Sequence, residues 1–170
     1  MFFECVRHIV KNIQIEFGLA IIYFYSAAAY AEGMCNDNEM IVFNCQSNRS
    51  TASLCKEMGG DALTYRHGKM NRIDLEVSAV GLRKKEKFYF SSIPYSGGGE
   101  AHIRFFNGGY TYFLYDKTVR VDEGPEFSSG IVVYRHGRKI SQETCNNDAS
   151  IQHAAYSEIK KEEYMDIGSK

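Results

Sequence analysis

From residue 39 onward, apolar and polar residues alternate along the chain instead of recurring at helical spacing, a pattern that predicts a succession of short β-strands. Ile41, Phe43 and Cys45 alternate with Val42 and Asn44, and after the turn-like "QSNRS" a second strand covers Thr51 to Cys55. Leu63, Tyr65 and His67 share a face. Ile73, Leu75 and Val77 then point one way while Arg72, Asp74 and Glu76 point the other, as expected of a half-buried strand. Phe88 and Phe90 continue the series, followed by His102 to Phe106, Tyr110 to Tyr115, Gly130 to Tyr134 and Lys139 to Cys145. Turn chemistry falls between them at Met58-Gly59-Gly60-Asp61, His67-Gly68-Lys69, Asn107-Gly108-Gly109 and His136-Gly137-Arg138. The expected fold is all-β: a single antiparallel β-sandwich or barrel of about eight to nine strands. Tyr110, Tyr112 and Leu114 alternate with Thr111, Phe113 and Tyr115, so this strand is apolar on both faces and belongs at the centre of a covered sheet.

The two ends of the chain depart from this pattern. Arg7 and Lys11 precede an apolar stretch from Phe17 to Ala29, and Ala29-Tyr30-Ala31 has the small-x-small form of a cleavage site, so residues 1–31 are read as a secretory signal peptide. The apolar run is short of the roughly 20 residues a membrane helix needs. The β domain then occupies 32–149, and no membrane contact is expected after cleavage. Residues 150–170, "SIQHAAYSEIKKEEYMDIGSK", are highly charged, with a thin stripe of Ile151, Ala155 and Ile159 at four-residue spacing. This tail is expected to be peripheral, either a short exposed helix or disordered.

Charge excludes some partners. The whole chain carries a formal charge of -1, and the leader removes two basic and two acidic residues, so the mature charge is the same. Such a balance gives no reason to expect a nucleic-acid partner. Of the five cysteines, Cys5 leaves with the leader, and the even set of Cys35, Cys45, Cys55 and Cys145 in an exported chain reads as two disulfides. Hairpin spacing favours Cys45 with Cys55, leaving Cys35 with Cys145 to staple the ends of the domain. With no C-x-x-C pair and no clustered histidine, neither a metal site nor a cofactor is expected.

The stretch from Ser91 to Phe105, "SSIPYSGGGEAHIRF", is the least ordinary. Three consecutive glycines cost backbone entropy. They lead into a strand and not a helix, which argues against a phosphate cradle and leaves two readings, a mobile or sharply bent hairpin loop or a protruding recognition loop with Tyr95 as an aromatic anchor. A nucleophilic triad finds no G-x-S-x-G elbow. The carboxylates Asp122, Glu123 and Glu126 share one polar segment, whereas a glycosidase needs two carboxyl groups facing each other across a cleft. Their reading is a solvated acidic loop or a contact for a cationic partner. "YRHG" occurs twice, at Tyr65 to Gly68 and Tyr134 to Gly137, each copy interpreted as a strand running into a glycine turn.

Several of these segments occur together elsewhere. "FNC" at 43–45, "SLC" at 53–55, "YRHG" at 65–68, "YSGGGEAHIRFFNGGYTYFLYDKTVR" at 95–120, "FSSGIVV" at 127–133 and the late Cys145 resemble a widespread, largely uncharacterised family of small exported proteobacterial proteins. Its members carry a Y-R-F-G segment, a Y-S-G-G-G loop and an N-G-x-Y-x-Y strand. His67 stands where that family commonly has Phe, and the charged tail has no counterpart in it. A looser likeness, in size, disulfides and β-architecture, is to periplasmic lysozyme inhibitors and toxin immunity proteins. Those resemblances imply a periplasmic or secreted non-enzymatic binding protein, an inhibitor or immunity protein that inserts a loop into the active site of a toxin or cell-wall hydrolase. The expected contacts are Tyr95, Ser96, Gly97, Gly98, Gly99 and Glu100, with Arg66 and Arg104 as charged contributors. The alternative is a small envelope enzyme or carbohydrate-binding protein that uses the Tyr110 and Tyr112 face. Tyrosine rings lining a groove beside a histidine and a carboxylate would favour that alternative; buried rings with a projecting 95–100 loop would favour inhibition.

Overall fold

The computed structural model describes residues 33–69, 71–79 and 87–169; the leader read over 1–31 lies outside them. Strands β1 (Glu39–Gln46), β2 (Thr51–Glu57), β3 (Leu63–Lys69) and β4 (Arg72–Ala79) form a four-stranded antiparallel meander. Strands β5 (Phe88–Tyr95), β6 (Gly98–Asn107), β7 (Tyr110–Val121), β8 (Gly124–Arg135) and β9 (Arg138–Thr144) form a second meander. A helix α1 (Ala154–Glu158) and a two-residue strand β10 (Lys160–Lys161) follow, and β10 pairs parallel with β5 to complete a six-stranded sheet. The fold is therefore the all-β sandwich that alternation predicts, with open sheets and no barrel closure. Among the described residues no helix is long and apolar enough to cross a membrane.

The core lies where the alternating apolar faces meet. Phe43, Leu54, Tyr65 and Val77 line the inner face of the smaller sheet in cross-strand register, and Phe88, Ile103, Phe105, Leu114 and Ile131 do so in the larger. Tyr65 meets Phe105 across the interface with ring centroids 4.6 Å apart, within the range of favourable tilted ring pairs. As expected for a strand apolar on both faces, β7 is central in its sheet.

Two disulfides form, but with a different connectivity: Cys35–Cys55 and Cys45–Cys145. Hairpin proximity misleads here because register decides. Cys45 stands opposite Ala52, on the face of Phe43 and Leu54, while Cys55 shares the opposite face with Ser53. Side chains on opposite faces of one sheet cannot be bridged. Cys45 instead reaches across the sandwich to Cys145, and Cys55 is met by the segment before β1 that crosses the outer face.

The tail is the second correction. Residues 150–169 do contain a short helix, α1, but they are not peripheral: Ile151, Ala155, Ile159 and Ile167 are all buried. The thin stripe suffices because α1 closes one open side of the core while the remainder crosses the outer face of the larger sheet, which β6 to β8 leave half apolar.

Two turns differ from their expected positions. Gly68 lies within β3, not in a turn, at a bulge opposite Ile73, and a Cβ there would stand 2.1 Å from the Arg72 carbonyl oxygen. The second YRHG copy does turn, with His136 at φ 51° and Gly137 at φ 75° bridging β8 and β9. The acidic segment with Asp122, Glu123 and Glu126, expected as a loop, is also mostly strand: β7 and β8 stay paired out to Val121 and Gly124, leaving only Asp122 and Glu123 in the turn.

Candidate functional site

The glycine-rich segment is a tight strand–turn–strand and not a projecting loop. Tyr95 pairs with Gly98 across the turn formed by Ser96 and Gly97. The glycines answer a packing need. Gly97 has φ 81° beside Arg120, and a Cβ on Gly98 would lie 1.9 Å from the Thr118 carbonyl oxygen, so the hairpin lies close against β7. Glu100 points into the structure with 6% of its surface exposed. The inner side of this hairpin, with Thr118 and Tyr156, lines an open depression of about 550 Å³.

Arg66 is also turned away from solvent. It lies on the outer face of the smaller sheet and donates to both oxygens of Glu39, to Glu76 at 2.9 Å and to the Met34 carbonyl. Burial raises the Glu39 carboxyl, but the hydrogen bonds from Arg66 and the Asn36 amide outweigh it and hold Glu39 below the ordinary value. Glu39 also approaches the sulfurs of Cys35 and Cys55, but those sulfurs are joined to each other and offer no thiolate pair to a metal. Arg104 donates to Glu162 of the tail, with its guanidinium packed on the rings of Tyr89 and Phe106.

What the fold does assemble is a cleft of about 290 Å³ at the open end of the sandwich. Tyr112 and Tyr110 contribute their rings from the inner face of β7, Ile131, Val133, Leu75 and Ile140 add apolar lining, and His67 and Glu143 supply polar groups. Both rings are half-buried. Tyr112 is held by a parallel stack on Phe105, centroids 4.8 Å apart and planes within 2°, while the Arg135 guanidinium lies 5.1 Å from the Tyr110 ring. Burial pushes the Tyr112 hydroxyl above the ordinary tyrosine value, so it stays protonated and can donate.

The polar side is a network. The Glu143 carboxylate accepts from the hydroxyls of Ser47 and Ser50, the latter at 2.8 Å. His67 Nε2 lies 3.1 Å from Ser50 Oγ and 3.8 Å from Glu143. Serine and carboxylate thus face the same ring nitrogen, whereas a nucleophilic relay needs the acid on the other one. Among the described residues Glu143 is the single carboxylate lining the cleft, with no second acid facing it as a glycosidase pair would require. The arrangement is suited to hold a ligand: aromatic faces opposite a fixed acceptor, an imidazole and hydroxyls.

Sequence reasoning named Tyr110 and Tyr112 but missed Ser50 and Glu143, which join His67 only through pairing across both sheets. None of Tyr95, Ser96, Gly97, Gly98, Gly99, Glu100, Arg66 or Arg104 lines this cleft. Comparison with known protein families, characterised proteins and solved structures finds no match.

Proposed function

We propose that the protein is an exported, disulfide-stabilised binding protein, periplasmic or secreted, whose ligand is a saccharide seated in the Tyr110 and Tyr112 cleft. The observation that carries this reading is the placement of two tyrosine rings beside His67 and Glu143. A pyranose offers apolar C–H faces to aromatic rings and hydroxyls to a carboxylate, and a cleft with both features serves that chemistry without requiring catalysis. The two disulfides are compatible with an oxidising compartment. Titration calorimetry of the mature chain against fragments of envelope polysaccharides tests it. Tyr112→Ala is expected to weaken binding about fivefold or more, since truncating a central aromatic anchor removes more than about 1 kcal/mol. Retention of full affinity by both Tyr112→Ala and Glu143→Gln would sink the cleft assignment.

A second reading, inhibition of or immunity to a toxin or cell-wall hydrolase, is supported by a different element. The β7–β8 hairpin runs past the neighbouring strand pairings and leaves Phe127 with 73% of its surface exposed, near Asp122, Glu123 and Glu126. Insertion into a basic, apolar-walled cleft of a protein partner fits that hairpin better than it fits the 95–100 turn. Pull-down of secreted effectors by the wild type but not by Phe127→Ser, with Tyr112→Ala unaffected, would favour this reading over the first.

A further inference from the structure

The outer face of the six-stranded sheet is covered by residues 162–169, and the manner of covering is that of a bound peptide. β10 adds backbone pairing at Lys160 and Lys161, and the Glu162 amide donates to the Phe90 carbonyl. Beyond that point side chains of the sheet recognise the segment's backbone: the Tyr134 hydroxyl donates to the Ile167 carbonyl at 2.9 Å, Lys139 to that of Gly168 at 2.7 Å and Lys117 to that of Ser169 at 3.2 Å. The segment's side-chain sites lie mostly upstream of these backbone contacts. Arg104 holds the Glu162 carboxylate, Tyr164 stacks on His102 with centroids 4.9 Å apart and donates to Glu100, and Ile167 fills a pocket of Phe113, Tyr115 and Val132. Arg104 on the sheet pairs in charge with Glu162 of the segment, while Lys117 is shared between Glu100 of the sheet and Ser169 of the segment.

The segment fits this face incompletely. Among the described residues, three buried side-chain polar atoms find no hydrogen-bond partner: the hydroxyls of Tyr95 and Tyr115 and Nδ1 of His102. All three residues lie on this outer face, as the pairing of Tyr95 with Gly98, of Ser91 with His102 and of His102 with Tyr115 requires. Native interiors rarely leave such atoms unpaired, and an occupant that supplied partners to them would bind this surface more tightly than the tail does. A cavity of about 220 Å³ also remains between Met165 and Asp166 of the segment and the sheet residues Phe106, Phe113 and Tyr134.

We propose that the outer face of the six-stranded sheet is a docking groove for an extended acidic peptide segment of a partner protein, with an acid, an aromatic and an aliphatic residue spaced as Glu162, Tyr164 and Ile167 are. The chain's own residues 162–169 occupy the groove in the free protein. Strand addition at an edge combined with side-chain pockets is an established mode of peptide recognition, and here both halves are built. The groove is distinct from the tyrosine cleft, which opens on the inner face.

The test uses the full-length chain carrying Ile167→Asp, which places a charge in the apolar pocket and releases the segment while leaving the groove intact. A fluorescent peptide of sequence KKEEYMDIGSK is then titrated in trans and followed by polarisation. The peptide is expected to bind the variant at least tenfold more tightly than it binds the wild type. Replacing its tyrosine with alanine, or adding Arg104→Ala to the protein, should abolish that binding. Equal binding to wild type and variant, no binding to a variant whose near-ultraviolet circular dichroism is native, or equal binding of a scrambled peptide overturns the proposal. Concentration-dependent dimerisation of the wild type that Ile167→Asp abolishes overturns it too, since the occupant is then a second copy of this chain. Should Ile167→Asp not fold, Tyr164→Ala with Glu162→Gln loosens the segment without burying a charge, and the same criteria apply.

Discussion

The Arg66 guanidinium, 8% exposed, is shared between Glu39 and Glu76, and removing it leaves the nearly buried Glu39 carboxylate uncompensated. Arg66→Ala is expected to cost about 3 kcal/mol in urea unfolding, since breaking a buried pair strands its partner. His102 is fully buried; its Nε2 lies 2.8 Å from the Glu100 carboxylate, to which the neutral ring donates. Desolvation lowers the His102 pKa despite that carboxylate, so the ring is neutral at pH 7. Burial raises Glu100, but hydrogen bonds from His102 and Ser169 lower it further, and the net direction is down, as for Glu39. A group whose pKa is depressed by folding contributes stability that is present above its unfolded value and lost as pH falls. His102 therefore begins to destabilise the protein as pH drops below about 6.5, and Glu39 and Glu100 add to the loss below about 4.3. Asp116, raised by burial, offsets part of it in the carboxylate range. Unfolding midpoints measured between pH 8 and pH 3 should fall in those two stages, and His102→Gln should flatten the first.

At the scale of elements, the hairpins and the tail obey different rules. Most hairpin positions followed from glycine chemistry, Gly68 being an exception, but the reason for each glycine did not. Gly98 and Gly130 are required because β7 and β9 approach so closely that a Cβ would lie 1.9 Å from the Thr118 carbonyl and 2.2 Å from the Glu143 carbonyl. Gly98→Ala and Gly130→Ala should each destabilise the fold by more than about 2 kcal/mol, as overpacking against backbone has no flexible side chain to yield. Both changes are read from the midpoint of thermal or urea unfolding. The tail's contribution is apolar burial. Ile159 and Ile167 are 4% and 1% exposed, and alanine at either position should cost about 2–4 kcal/mol by the usual transfer and cavity effects. An exposed or disordered tail would show no change.

For the whole molecule, the disulfide topology governs stability. Cys45–Cys145 closes a loop of sequence separation 100 and Cys35–Cys55 one of 20. Chain-entropy arguments assign about 4.7 kcal/mol to a loop of the first size and about 3 kcal/mol to the second. The double replacement Cys45→Ser, Cys145→Ser should lower stability more than Cys35→Ser, Cys55→Ser, a ranking that peptide mapping and unfolding of each variant can check. The long bridge also joins the two sheets near the tyrosine cleft, where Ser47, Ser50 and His67 of one sheet meet Glu143 of the other. Its loss should weaken any ligand of the cleft along with the fold.

Period-two alternation and glycine turns determined the β class, most strand positions, the central place of β7 and the use of all four cysteines, because these depend on local backbone preference and on which face of a strand is apolar. Tertiary structure decided the rest. Register placed Cys45 and Cys55 on opposite faces and so chose the disulfides. Stacking of the sheets joined Ser50, His67, Tyr112 and Glu143, residues up to 93 positions apart, into one cleft. The half-apolar outer face of the larger sheet gave the tail's Ile167 somewhere to bury, while the open side of the core took Ile151 and Ile159. Cross-strand register and the pairing of distant surfaces are set by the summed fit of many side chains, and no local window of sequence contains that sum.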